Sequence, residues 1–355
     1  GLDARFFNDA LGVTFDWYNR TTSDILTTAN LPATLGADAP YENMGTIQTK
    51  GWELAIDYRH TFKNGLHFGV TASVADDKTE VTKWTYNTKI PSYGATGWWD
   101  KSAYKEGMVL GDIWGLQFDR FLTEDDFNAD GSLKAGLPDQ TKVFPAGYQF
   151  APGDVLYKDL DNNGEIVKQT NTNDKGDLSV IGNALPRLQF GLNLDAAWKG
   201  FDISMFFQGV AKRKLWAAGN QVLPGFTTGE PFYKGAEDYW TPENTDAFYP
   251  RPMDYKQSAS GNYSVNDRYL LNMAYLRLKT FTVGYSLPKV WLSKFKVQGL
   301  RVYFTGENLF TIDGVKPAID PEIGIRTASG KSDQRNFGRS YPYQKTVSFG
   351  IQLSL

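Results

Sequence analysis

Apolar and polar residues alternate along much of this chain with a period of two. From Trp52 one row reads Trp52, Leu54, Ile56, Tyr58, His60, Phe62, and the other reads Glu53, Ala55, Asp57, Arg59, Thr61. Residues 187–199 give Leu188, Phe190, Leu192, Leu194, Ala196, Trp198 against Arg187, Gln189, Gly191, Asn193, Asp195, Ala197, Lys199. The last residues set Val347, Phe349, Ile351, Leu353 and Leu355 against Thr346, Ser348, Gly350, Gln352 and Ser354. Side chains point to opposite faces of a strand, so each segment predicts a strand with one apolar and one polar face. Nine such segments follow: 1–8, 11–20, 47–62, 66–83, 186–199, 201–216, 270–286, 299–311 and 344–355.

Strands of soluble sheets run about 5–6 residues, and several of these are more than twice as long. Their apolar rows carry aromatic residues near the ends (Trp52, Phe62, Trp198, Phe201, Trp216), as the interfacial girdles of membrane barrels do. The connectors alternate in length. Asn8-Asp9-Ala10, Lys63-Asn64-Gly65 and Lys199-Gly200 are short, and 287–298 is somewhat longer; 21–46, 84–185, 217–269 and 312–343 are long. Outer-membrane barrels pair short periplasmic turns with long extracellular loops. That rhythm assigns every connector to one side and puts Leu355 in the periplasm. Segments 109–121 and 148–158 also read as extended, and the rhythm places both inside the extracellular region 84–185 as a hairpin.

Nine strands do not close an up-and-down bacterial barrel, which needs an even number and leaves no edge in lipid. The expectation is an all-β transmembrane antiparallel barrel of which 1–355 is the C-terminal part. Two rival readings are a passive outer-membrane pore or adhesin barrel, and a soluble glycan-binding β-sandwich with shorter strands.

Composition narrows the chemistry. The 355 residues include no cysteine and two histidines, which removes disulfides, thiolate metal sites and cysteine nucleophiles. A net charge of −3 gives no general drive toward nucleic acid. No apolar run approaches the ~18 residues of a membrane helix. No export signal is visible at the start.

Several short patterns resemble the SusC/RagA family of TonB-linked outer-membrane transporters. They are Gly1-Leu2-Asp3-Ala4-Arg5-Phe6-Phe7-Asn8 with Leu11 to Asp24, Asn43-Met44-Gly45-Thr46-Ile47 with Lys50-Gly51-Trp52, and Pro152-Gly153-Asp154-Val155 with Lys158-Asp159. Ile181-Gly182-Asn183, Leu276-Arg277-Leu278-Lys279, Gly284-Tyr285-Ser286-Leu287-Pro288 and Gly306-Glu307-Asn308-Leu309-Phe310-Thr311 continue them in the family's order. The resemblance implies a 22-stranded plugged barrel. It also implies an N-terminal plug domain and a TonB box, both absent from this chain, and a SusD-like surface lipoprotein as lid. Such machines import oligosaccharides or, in some members, peptides across the outer membrane of Bacteroidota-type bacteria, driven by the TonB complex.

Asp159-Leu160-Asp161-Asn162-Asn163-Gly164-Glu165-Ile166 matches the start of a calcium loop, with oxygen donors at positions one, three and five and glycine at six. Position twelve is Thr170 rather than a bidentate glutamate. The candidate ligands are Asp159, Asp161 and Asn163; the alternative is an Asx/Gly turn. A structural calcium is the only cofactor suggested, and none is required. Gly330-Lys331-Ser332 fails as a phosphate loop because Ile325 stands where glycine is needed. His60 and His67 flank one turn and read as interfacial or solvated. Glu124, Asp125 and Asp126 form an acidic surface run rather than a glycosidase pair, so no enzyme is expected. The candidate substrate contacts are the loop aromatics Trp98, Trp99, Trp114, Tyr233 and Trp240, with Arg187 and Asp195 on the lumen face. Most loop aromatics are expected to pack loop on loop, and a minority to touch substrate.

Overall fold

The computed structural model describes residues 1–28, 40–85, 105–168, 174–217, 219–226, 232–253, 261–292, 297–322 and 341–354. The strands are β1 (Leu2–Phe6), β2 (Leu11–Thr28), β3 (Tyr41–Thr61), β4 (His67–Trp84), β5 (Asp112–Gly115), β6 (Phe118–Phe121), β7 (Val155–Tyr157) and β8 (Ser179–Asn183). They continue with β9 (Arg187–Trp198), β10 (Phe201–Lys212), β11 (Lys214–Leu215), β12 (Leu271–Asn272), β13 (Tyr275–Ser286), β14 (Gly299–Asp313) and β15 (Thr346–Ser354). One helical turn, α1 (Lys289–Leu292), joins β13 to β14.

Nine strands form one antiparallel sheet in the order β1-β2-β3-β4-β9-β10-β13-β14-β15. β1 and β15 are its edges, so the sheet is an open portion of a barrel wall. The register keeps like with like across it. Val13, Ile56, Ala72 and Leu192 lie opposite one another in succession, as do Val283, Phe304 and Phe349. One residue along, Thr282, Thr305 and Ser348 form a polar row. A slip of one residue would exchange the two faces, so the alternation itself selects this pairing. Large side chains remain exposed on the apolar rows: Phe349 is 84% and Trp17 61% accessible. Contiguous apolar surface of this kind needs a nonaqueous neighbour, and a bilayer supplies it.

The polar face carries its own ion pairs. Arg5 Nη1 lies 2.8 Å from Asp57 Oδ2, and Arg301 Nε donates to Asp202 Oδ1 at 2.9 Å. Rings also cover cross-strand glycines. A Cβ at Gly51 would collide with Tyr18, and one at Gly350 with Tyr303. The glycines let these rings lie flat on the wall, which compensates for their missing side chains.

Four boundaries differ from the periodicity by four residues or more. β2 and β3 run on to Thr28 and back to Tyr41, with register shifts at Thr22/Ile25 and Ile25/Leu26. The polar run Thr21-Thr22-Ser23-Asp24 hides this extension because it does not alternate. At the same end of the wall, β10 leaves the sheet at Lys212, and Leu215 pairs separately with Leu271. Trp216 is therefore no interfacial anchor; it is 2% exposed inside a packed core. The same departure shortens the seventh wall strand, which starts at Tyr275.

The described parts of the connectors after β4, β10 and β14 gather at one end of the wall and fold there into a roof. β6 pairs with β7 and β5 with β8; neither pair joins the nine-stranded sheet. Two apolar clusters fill the roof. One contains Ile113, Trp216, Leu223, Tyr249, Tyr269 and Met273, and the other Leu116, Phe121, Val155, Tyr157, Ile166 and Trp240.

Candidate functional site: a cleft in the roof

A cleft of about 690 Å³ opens between two roof connectors. The connector after β10 supplies Gln221, Tyr233, Lys234, Glu237, Asp238, Phe248 and Tyr249; the connector after β14 supplies Lys316 to Asp320 and Pro342. This volume lies in the range of ligand pockets.

Backbone pairing builds the first wall. Tyr249 N–H donates to the Asp238 carbonyl at 2.9 Å, and Trp240 N–H to the Tyr249 carbonyl at 3.0 Å. The Tyr249 hydroxyl donates to the Val222 carbonyl at 3.0 Å, and burial pushes its pKa up to about 12, so it stays neutral. Phe248 packs edge-on against Tyr249 at 4.8 Å, which makes the aromatic back of the cleft.

Charge fixes the second wall. Arg277 on β13 is 3% exposed. Its Nη2 donates to Asp320 Oδ1 at 2.7 Å, its Nε donates to Thr311 at 2.7 Å, and its Nη1 lies 3.1 Å from Glu322 Oε1. Lys279 Nζ reaches Glu322 Oε2 at 2.7 Å, and the Tyr343 ring lies 5.3 Å from the Arg277 guanidinium carbon. Burial alone would raise the Asp320 pKa. Hydrogen bonds from Arg277 and from the N–H groups of Glu322 and Tyr343 outweigh it and hold the carboxyl below its ordinary value. A buried charge survives only when it is paired in this way. Asp320 thus belongs both to the wall's ion-pair network and to the cleft.

The sequence candidates separate. Tyr233 lines the cleft. Trp240 is 7% exposed within the second roof cluster, and Trp114 is half-buried against that cluster, so both rings are largely covered by protein. Trp98 and Trp99 lie outside the described residues. Arg187 forms a two-pronged ion pair with Asp76, with Nη2 to Oδ2 at 2.6 Å. Asp195 Oδ2 lies 3.5 Å from His67 Nε2 near the short-turn end of the wall, far along the strands from the roof. Lys234, Glu237, Asp238, Lys316 and Asp320 escaped the sequence reading because their segments carry no periodicity and meet only through the fold.

In the acidic loop Asp159 and Asp161 lie beside a third carboxylate, Asp177. Carboxylate oxygens of Asp159, Asp161 and Asp177 all lie within 4.8 Å of one another. Gly164 N–H donates to Asp159 Oδ2 at 2.8 Å, which curls the loop around its first residue. Asn163 Oδ1 accepts the Glu165 N–H at 2.7 Å, while its Nδ2 donates to Asp161 at 3.0 Å. The fully buried Asp177 accepts N–H bonds from Leu160 and Val167 at 2.8 and 2.7 Å. Hard oxygens at this spacing fit a calcium ion, because each carboxylate oxygen keeps a second lone pair.

An antiparallel wall with an apolar outer row, a polar inner row and a folded roof defines an outer-membrane β-barrel. Residues 1–143 match the family model described as TonB dependent receptor-like, beta-barrel. The chain is 27% identical to TonB-dependent receptor P3 of Formosa agariphila, covering 99% of the chain and 33% of that protein. It is 23% identical to TonB-dependent receptor SusC of Bacteroides thetaiotaomicron, covering 100% of the chain and 31% of that protein. Its fold matches a chain in the structure of the RagAB peptide transporter with a TM-score of 0.68 and 20% identity, covering 99% of this chain and 34% of that one. The chain thus resembles the TonB-dependent receptor β-barrels, and among them the SusC/RagA members. It spans about a third of the length of these relatives. Barrels of this family sit in the outer membrane of Gram-negative bacteria.

Proposed function

We propose that this chain forms wall and roof of an energy-coupled importer that takes oligosaccharides or peptides across the outer membrane. One observation carries the reading: among the described residues, folded connectors with packed cores gather at one end of the wall, and they hold an open cleft. In this reading the roof is extracellular, the short turns and the C-terminus are periplasmic, and residues 84–185 are an extracellular region. The chain is the C-terminal part of a 22-stranded barrel whose plug, from the N-terminal part of the same transporter, fills the lumen. The inner ion pairs line that lumen and face plug or cargo. A SusD-like lipoprotein covers the roof, and TonB acts through the plug. Transport breaks no bond, so the chain contributes shape and contacts while the work comes from the inner membrane.

Calcium at Asp159, Asp161 and Asp177 is assigned a structural role in the roof. Added calcium should then slow proteolysis of residues 159–177, and a chelator should reverse it.

Two measurements test the import reading. Uptake by cells expressing the transporter should vanish when TonB is deleted. Mass spectrometry of material purified in detergent should find a plug-bearing polypeptide and a lipoprotein. TonB-independent diffusion would favour a passive pore instead.

A further inference from the structure

The short-turn end of the wall is basic, whereas the chain as a whole is acidic. Its four connectors, 8–10, 63–65, 199–200 and 287–298, hold five lysines and one carboxylate, Asp9, in a chain of net charge −3. Two of those lysines sit on neighbouring turns that the structure ties together. Lys199 and Gly200 both have positive φ, 49° and 91°, the conformation of a tight hairpin turn between paired strands. Such turns favour asparagine, aspartate or glycine, so the backbone gives no reason for a lysine at 199. The Gly200 carbonyl accepts the Ser286 N–H at 2.8 Å, which clamps the turn to β13. Lys199 Nζ lies 4.5 Å from the centre of the Trp198 ring. The Trp198 indole N–H donates to the Asn64 carbonyl at 3.3 Å, so the turn that bears Lys63 lies beside it. Both lysines are exposed, and neither meets a carboxylate among the described residues.

Register places this pair at the foot of the outer apolar row. Trp198, Phe201 and Tyr285 are successive cross-strand partners, and Phe68 stands between His60 and Ala196 two residues further in. Phe62, Phe68, Trp198 and Phe201 leave their rings exposed there. Asp57, Asp195 and Asp202 at the same end lie on the inner row, against Arg5, His67 and Arg301. We infer that Lys63 and Lys199 bind the phosphate of an anionic phospholipid in the leaflet at the short-turn end. The inference rests on the reading that these turns face the periplasm. Continuity carries the choice of occupant. The site closes the row that already faces the bilayer, with aromatic rings at the interface and two cations just beyond them. A plug or any other partner inside the lumen meets the inner row and does not reach it. A zwitterionic headgroup brings an ammonium that finds no carboxylate on this face, whereas an anionic one brings no such cation, so the site discriminates by charge.

The test is native mass spectrometry of the intact transporter in detergent, titrated with phosphatidylglycerol and with phosphatidylethanolamine of the same acyl chains. Phosphatidylglycerol should bind more tightly, and Lys63→Gln and Lys199→Gln should each reduce that preference about five-fold. Lys63→Arg/Lys199→Arg should keep it. Lys50→Gln/Lys78→Gln, which removes two register-paired lysines from the roof end of the same wall, should also leave it unchanged. Equal binding of the two lipids by the wild type, or a preference that survives Lys63→Gln/Lys199→Gln, overturns the proposal. A separate experiment reads the side of the membrane. The chain itself contains no cysteine, so Asp9→Cys on the turn between β1 and β2 gives it a single thiol. That thiol should resist a membrane-impermeant maleimide on intact cells and react once the outer membrane is permeabilised. Labelling of intact cells would overturn the leaflet assignment together with the orientation of the importer. A lost lipid preference with the thiol still protected removes the headgroup site alone.

Discussion

Arg251 Nε lies 2.8 Å from Asp154 Oδ1, and this pair ties the connector after β4 to the connector after β10. Asp154 is fully buried and also accepts hydrogen bonds from the Tyr148 hydroxyl at 2.9 Å, the Asn262 amide at 3.0 Å and the Ala151 N–H at 2.9 Å. Removing one partner of a buried pair strands the other charge, at a cost of about 3–5 kcal/mol. Arg251→Met should therefore loosen the roof by about that amount. Hydrogen exchange should rise across 148–157 and 247–253 and stay unchanged in β13 and β14. A rise confined to the substituted position itself would show that the pair does not join the connectors.

The roof should respond to acid at a second pair. Arg120 Nη1 and Nη2 hold Asp126 at 2.5 and 2.7 Å, and the Thr123 N–H donates to it at 2.8 Å. The Arg120 hydrogen bonds bring its pKa from 3.8 down to about 2 against a smaller opposing effect of burial. The folded value lies below the unfolded one, so the stabilisation is complete above the unfolded value and fades as pH falls toward the folded one. Local stability of 118–134 should stay flat from pH 7 to about 4 and drop between about 4 and 2. Asp126→Asn should remove that drop, measured by hydrogen exchange after correction for the intrinsic rate.

Arg277 positions one wall of the cleft. Arg277→Met leaves Asp320 buried without its counter-ion and Glu322 with Lys279 alone, at a local cost of about 3–5 kcal/mol. Arg277→Lys should recover little, because an ammonium cannot reproduce the planar fork. Exchange of residues 314–322 should rise in both variants. Unchanged exchange in both variants would disconnect this network from the connector.

The assignment of faces can be tested with neighbouring residues. Phe304 belongs to the apolar row and Thr305 to the polar row of the same strand. Lysine on the lipid face of a barrel costs about 2–4 kcal/mol near the bilayer centre, and less near its edges. Phe304→Lys should reduce the heat-resistant folded band of the intact barrel, whereas Thr305→Lys should assemble nearly as wild type. The reverse order would invert the wall.

Four roof residues show how the local pattern and the fold divide the information. Trp114, Tyr233, Trp240 and Trp216 are all large aromatics near polar segments, yet the first is half-buried, the third and fourth are buried, and Tyr233 alone lines the cleft. Nothing in their immediate neighbours distinguishes them. The acidic loop shows the same division: Asp159 and Asp161 were legible from spacing, whereas Asp177 joins them from beyond residue 173.

The sequence by itself determined the nine wall strands and their two faces. Those features depend on residues two apart seeing the same surroundings, which a period of two records directly. Only the tertiary structure decided where β10 leaves the sheet, which rings are covered, and that Arg277 holds Asp320 at the wall of a cleft that Lys316 also lines. These contacts join segments tens of residues apart in the chain, and they follow from how the connectors pack, a constraint that leaves no periodic trace in any one of them.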